Sequence, residues 1–223
     1  MPQNPPCKPG TFCQDPTFLA LLGATPNDFT ELGAVGGTGP EDVWVHGVRA
    51  GKTVLYHYNG LEWEANPPGY TQRSFSSVGE TDIWADGIYD VWLVEGEAMS
   101  VVRHDGARFT SWSGQPAADR SLNAVFGTGR GVLVGGKGGL LRFLGREFPP
   151  MKDPAIEQPE PGKKAQWMGL FVDQQCTEWL VGSPLDAKNE RSAIAGRLWK
   201  RAPAPASGGR LAIIADSVAS MAI

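Results

Sequence analysis

The sequence is short of cysteine, histidine, long apolar runs and surplus positive charge. Three Cys and three His occur in 223 residues. A structural zinc site takes about four such ligands, so no metal or other cofactor is expected. No stretch reaches about 18 consecutive apolar residues, which excludes an ordinary membrane-spanning helix. Lys and Arg number 20 against 24 Asp and Glu, a net charge of −4. Phosphate recognition leans on clustered cations, so no nucleic-acid partner is expected. Residues 1–10 lack the basic and apolar regions of a signal peptide. The chain is therefore expected either to be cytoplasmic or to start after a removed leader.

What is abundant is glycine, 29 residues, and proline, 18, beside eight Trp and nine Phe. A hydrophobic fraction of 41% is ample for a buried core. Turn formers and aromatics in those amounts predict many short strands joined by tight turns. Cys7 and Cys13 bracket a Pro-Gly turn and are candidates for a small disulfide loop, the alternative being two free thiols. Cys176, in an apolar run, reads as a small buried residue.

Two motifs recur. Asp42-Val-Trp44-Val, Asp90-Val-Trp92-Leu-Val and Glu178-Trp179-Leu-Val-Gly182 pair an acidic residue with an apolar run, and Val132-Leu133-Val-Gly135 fills the same place. Positions 44, 92, 133 and 179 are 48, 41 and 46 residues apart. A second motif, Gly-x-x-aromatic, occurs at Gly60–Trp63, Gly106–Phe109, Gly145–Phe148 and Gly196–Trp199. Both repeat at a mean of about 45 residues, the length of a four-stranded supersecondary unit. A small-residue strand precedes each first motif, and Leu32-Gly-Ala-Val35 returns as Leu122-Asn-Ala-Val125. Each unit is expected to hold four strands, with Asn59-Gly60 and Asp105-Gly106 as type I′ hairpin turns before the last. Such units bury both faces only by stacking on neighbours.

The pattern resembles the bacterial β-propeller repeat proteins whose blades read Leu-x-Ala-Val-x-Gly … Asp-Val-Trp-x-x-Gly … Gly-x-x-Trp. The likeness covers residues 32–200. It implies an all-β propeller and an exported, periplasmic or cell-surface setting, and it says little about activity. Propellers of the Asp-box type fit less well, because Asn59-Gly60 and Asp105-Gly106 are adjacent pairs. The expected organisation is an N-terminal extension, 1–31, four blades over 32–200, and a linker with strands of a partial fifth or closing blade over 201–223. Leu211–Ala215 and Val218–Ile223 are the candidate fifth-blade strands. Asp15, Pro16 and Gly23 punctuate a short helix.

Few motifs carry chemistry. Gly131 to Gly138 nearly spells a phosphate-binding loop but lacks its hydroxyl residue and a following helix, so it reads as a hairpin. His57 and His104 fall at matching repeat positions and are assigned to the blade. His46 has no repeat counterpart and no nucleophile beside it in sequence. Asp42, Asp90 and Glu178 are expected to cap turns by accepting backbone N–H groups, and Trp44, Trp92 and Trp179 to pack between blades. The residues that break the repeat on the first strand of each unit, where a propeller channel would run, are Trp84, Asp86, Asn123 and Asp173. These are the candidate ligand-binding groups, with ordered water as the alternative use of their polar atoms. The expected function is non-catalytic: a binding or scaffold propeller presenting loops to a protein or glycan partner. A hydrolase or lyase using Asp86 and Asp173 is one alternative. A structural module of a larger surface protein is another, and a ring closed between subunits remains open.

Overall fold

The computed structural model describes residues 15–22, 30–74, 79, 81–86, 90–96, 99–113, 121–128, 131–137, 139–151, 165–172, 177–185, 196–201 and 211–215. Cys7, Cys13, Asp173 and Cys176 lie outside them, as does the 218–223 run. The chain opens on α1 (Pro16–Leu22). Asp15 caps it, its Oδ1 accepting the N–H groups of Thr17 at 2.8 Å and Phe18 at 3.2 Å.

Four antiparallel meanders follow. Sheet 1 holds β1 (Thr30–Gly39), β2 (Asp42–Arg49), β3 (Lys52–Tyr58) and β4 (Trp63–Ala65). Sheet 2 holds β5 (Thr81–Ala85), β6 (Val91–Glu95), β7 (Ser100–His104) and β8 (Phe109–Ser113). Sheet 3 has β9 (Leu122–Thr128), β10 (Gly131–Gly136) and β11 (Gly139–Arg142). Sheet 4 has β12 (Ala165–Val172), β13 (Glu178–Pro184), β14 (Arg197–Arg201) and β15 (Leu211–Ala215). The first strands touch in succession, β1 to β5 to β9 to β12, so they form the inner wall of the array.

Three expectations about strands change. Leu211–Ala215 does not begin a fifth unit; it pairs with β14 and completes sheet 4. Gly196–Trp199 accordingly opens the third strand of its sheet, because Leu180 pairs with Trp199. Phe148 starts no strand: the outer place in sheet 3 shrinks to a bridge between Leu141 and Pro150. Pro149 and Pro150 carry no N–H to extend a ladder. The turns also differ from a uniform type I′. Between β2 and β3, Ala50 and Gly51 both have positive φ, 50° and 73°, as that turn requires. At Asn59-Gly60 only Gly60 does, at 89°. There the Asn59 carboxamide holds the loop by accepting from the N–H groups of Leu61 and Glu62, each at 3.0 Å.

Cross-strand register fixes which residues are equivalent. Gly36 faces Trp44, Trp84 faces Trp92, Phe126 faces Leu133 and Phe171 faces Trp179. In sheets 1 and 2 this face is buried against the next sheet. Trp44 packs with Ile83, Val91 and Leu93, and Trp92 with Val125, Val132 and Val134. Leu140 of sheet 3 meets Trp167, Leu180 and Trp199 of sheet 4. The opposite face of sheet 1, with Val45, Val54 and Tyr56, is covered by Phe18, Leu21 and Leu22 of α1. Phe18 stands edge-on to Tyr56 with ring centres 5.2 Å apart.

The glycine three residues beyond the first-motif position has a physical reason. Gly47, Gly136 and Gly182 each lie opposite an irregularity in the inner strand. A Cβ there would meet a backbone carbonyl oxygen at 2.5, 1.9 and 2.5 Å respectively. Sheet 2, whose inner pairing runs without a register shift, carries Glu95 at this position. Gly136→Ala is therefore expected to cost at least about 1–3 kcal/mol, since backbone must move to admit the methyl. Urea denaturation checks it, and an unchanged midpoint would mean that the carbonyl of Ser121 yields freely.

Candidate functional site at the inner strands

Of the four sequence-derived site residues, the structure describes three. Trp84 lies on β5, half-buried, with its ring over Gly127 of β9, where a Cβ would come within 1.8 Å of the indole. Phe126 lies beyond it at 6.0 Å between ring centres, and Phe171 of β12 is 5.5 Å from Phe126. The row Trp84–Phe126–Phe171 thus runs along three successive inner strands at one level, and Phe171 is 53% exposed. Asp86 follows β5 at the same end, its side chain exposed and its N–H donating to the carbonyl of Asp90 at 2.9 Å. Asn123 is not part of this group. It sits at the irregularity near the start of β9, buried, and its Nδ2 donates to the carbonyl of Trp167 at 3.1 Å. It ties sheet 3 to sheet 4.

Asp82, which sequence reasoning passed over, performs the same task one sheet earlier. Its Oδ2 accepts from the N–H of Val125 at 2.9 Å and its Oδ1 from the N–H of Ile83 at 3.0 Å. Burial pushes its pKa above the usual carboxylate value despite those two donors. A carboxyl whose folded pKa is raised binds its proton more tightly in the folded state. Its contribution to stability is therefore largest below the unfolded value of about 3.9 and is lost as pH rises through the folded value. Asp82→Asn keeps an acceptor for Val125 and removes that loss. The variant's stability relative to the parent is expected to increase with pH from about 4 upward, then level off. Urea denaturation at a series of pH values measures it; a constant difference would sink the assignment.

Asp42 and Asp90 do something other than cap turns. Asp42 Oδ1 accepts from the indole Nε1 of Trp44 at 2.8 Å and lies 3.1 Å from His57 Nε2. Its Oδ2 accepts from the Thr38 hydroxyl at 2.7 Å. In sheet 2, Asp90 Oδ1 accepts from Trp92 Nε1 and from Arg103 Nε, both at 2.7 Å. By register Arg103, not His104, is the counterpart of His57, since Trp92 pairs with Arg103 and Trp44 with His57. The two-residue offset along one strand puts acid and indole on the same face, and the cross-strand side chain, His57 or Arg103, closes the set. His57 also stacks on Trp44 at 3.8 Å. His104 lies tilted against Trp44 and Phe109, its pKa held down by burial. Glu178 directly precedes Trp179 and cannot share its face, so sheet 4 lacks the device. Trp179 is half-buried, with the Lys200 ammonium 4.8 Å from its ring centre.

A polar cluster that the sequence did not announce lies between sheets 1 and 2. His46 and Glu95 are fully buried, with Nε2 and Oε1 3.6 Å apart. Tyr70 donates its hydroxyl to Glu95 Oε1 at 2.9 Å, and Arg73 Nε stands 3.4 Å from Oε2. Burial, with the Glu95 charge beside it, holds the Tyr70 phenol far above its usual pKa. Arg73 reaches on to the hydroxyls of Ser113, at 3.0 Å, and Ser111. Two signals were readable: His46 stands where sheets 2 and 4 have Val94 and Val181, and Glu95 where the other sheets have Gly. Tyr70 and Arg73 come from the β4–β5 connection, where no periodicity marks them. Among the described residues no three His, Cys, Asp or Glu side chains are placed to share a metal ion.

The sequence matches no protein-family model and no curated protein. Solved structures do match. A catalytically inactive virginiamycin B lyase from Staphylococcus aureus, with quinupristin, superposes with a TM-score of 0.52 at 10% identity, over 85% of this chain and 71% of that one. The extracellular domain of a hybrid two-component system protein from B. thetaiotaomicron gives 0.50 at 7% identity, over 86% of this chain and 23% of that one. The β-propeller domain of Myceliophteria thermophila Cps50 (Swd1) gives 0.48 at 12% identity, over 83% and 58%. This fold is a β-propeller. The four sheets are its blades, with the first strands innermost, and the Trp84–Phe126–Phe171 row with Asp86 lies toward one end of three of those strands. No helix among the described residues is long and apolar enough to cross a membrane.

Proposed function

We propose that this chain is a non-catalytic binding or scaffold propeller that offers its channel mouth to a protein or glycan partner. The observation that carries the reading is the mouth itself. Exposed Phe171, half-buried Trp84 and Phe126, and the free carboxylate end of Asp86 combine an apolar ring surface with a hydrogen-bond acceptor. Aromatic faces of this kind stack on sugar rings or on apolar side chains. The absence of catalysis is part of the proposal. The histidine–carboxylate pair His46–Glu95 is sealed between blades, where no substrate can reach it. An exported or surface setting belongs to the same reading and rests on the repeat resemblance; a loss of about 2 Da on oxidation, from a Cys7–Cys13 bridge, would support it. Calorimetric titration against defined oligosaccharides and peptides tests the binding. Asp86→Ala, an exposed change that leaves the circular dichroism spectrum intact, is expected to weaken an identified ligand about tenfold. A ligand indifferent to Asp86→Ala would remove the mouth from the reading.

A further inference from the structure

Blades 1 to 3 each bury one face against the next blade, and on the same face of blade 4 Val181 and Phe171 are exposed. Val181 is register-equivalent to His46 and Val94, because each lies two residues beyond the Trp of its strand. Those two are 0% exposed, whereas Val181 is 45% exposed. Phe171, equivalent to half-buried Trp84 and Phe126, is also uncovered. Blade 1 shows the complement. Val35 pairs with Val45 as Ile83 does with Leu93, and Ile83 and Leu93 are buried against the preceding blade. Val35 is instead 68% exposed, with Leu32 exposed beside it. Helix α1 covers only the outer part of this face, over Val45, Val54 and Tyr56.

The two open surfaces match in kind and in depth. One is the leading face of a blade and the other the trailing face, and on both the exposed residues lie on the inner strand or its immediate neighbour. Every other pairing of a leading with a trailing face in this fold is a buried seam built on an apolar cluster, with the His46–Glu95–Tyr70–Arg73 group added between blades 1 and 2. We propose that a second copy of this chain fills the gap, with the leading face of blade 4 on one copy packing against the inner trailing face of blade 1 on the other. A twofold axis makes the two contacts equivalent and closes the assembly. Two sets of four blades give a ring of eight, within the range of about four to eight blades that propellers adopt. The inference goes beyond the binding role and shares one residue with it, because Phe171 of the mouth borders the proposed contact.

Light scattering on the whole chain tests it. The parent is expected to have twice the chain mass. Val181→Glu and Val35→Glu, at exposed positions on opposite partners of the contact, are each expected to give a monomer with an unchanged circular dichroism spectrum. Leu61→Glu, on an exposed hairpin tip remote from both faces, is expected to leave the dimer intact. A monomeric parent would overturn the proposal. So would a dimer that survives Val181→Glu, or one that Val35→Glu leaves untouched, because the contact requires both faces. A mouth ligand that still binds the monomeric variants would leave the binding role standing by itself.

Discussion

Replacing Trp92 by alanine is expected to destabilise the fold by about 3–5 kcal/mol, and Trp44 by a similar amount, the range for large aromatic truncations in a packed core. Each indole is 1% exposed and sits in the seam between two blades. Trp92 alone meets Phe143 at 4.8 Å, Trp112 at 5.9 Å and the Arg103 guanidinium at 5.1 Å between centres. Its removal leaves a cavity between rigid sheets, which cannot collapse into it without losing their own ladders. It also strips Asp90 of its indole donor. Asp90→Ala, which keeps the ring, is therefore expected to cost less, about 1–3 kcal/mol. Urea denaturation of the three variants measures the order. A Trp92→Ala loss no larger than that of Asp90→Ala would mean that ring packing contributes little to the seam.

Glu95→Ala is the second large effect, with an expected loss of about 3–5 kcal/mol, as for breaking one partner out of a buried ionic set. Glu95 is the acceptor shared by Tyr70 and faced by both His46 and Arg73. Without it the buried phenol loses its acceptor, and the partly exposed guanidinium, held by Ser111 and Ser113, loses its counter-charge. The cluster joins the β4–β5 connection to both blades. Arg73 donates its N–H to the Thr53 hydroxyl at 2.9 Å and its carbonyl accepts from the Thr53 N–H at 2.8 Å. Glu95→Gln retains a carbonyl oxygen for Tyr70 and is expected to lose less. Thermal and urea unfolding check the pair. Stability unchanged in Glu95→Ala would show that the cluster fills space without holding the blades together.

The repeat was legible because its causes are local. An Asp two residues before a Trp places both on one strand face. A Gly three residues after that Trp marks where an inner-strand carbonyl comes too close for any Cβ. The short α1 was legible for a similar reason, since Asp15, Pro16 and the residues after them supply their own cap. The failures came where the motif survived and its context changed. Gly196–Trp199 carries the fourth-strand signature yet forms a third strand, because it pairs with β13 on one side and β15 supplies the outer edge on the other. Trp84 breaks the repeat on its inner strand, and nothing local says what receives its ring. Only the packed blades reveal that its ring lies over Gly127, a glycine about forty residues away whose missing side chain makes the room.

The sequence by itself determined the strand-rich class, the four-unit period, the seam positions of Trp44 and Trp92 and the glycines that permit the inner-strand irregularities. Each of these depends on residues within one unit. Tertiary structure alone decided the His46–Glu95–Tyr70–Arg73 cluster, the sheet-to-sheet ties from Asp82 and Asn123, and the exposure of Val35, Phe171 and Val181. Those depend on which blade faces which, and a repeat makes every unit read alike whether its neighbour is present or not. Position in the array, which no local pattern encodes, separates a buried Val94 from an open Val181.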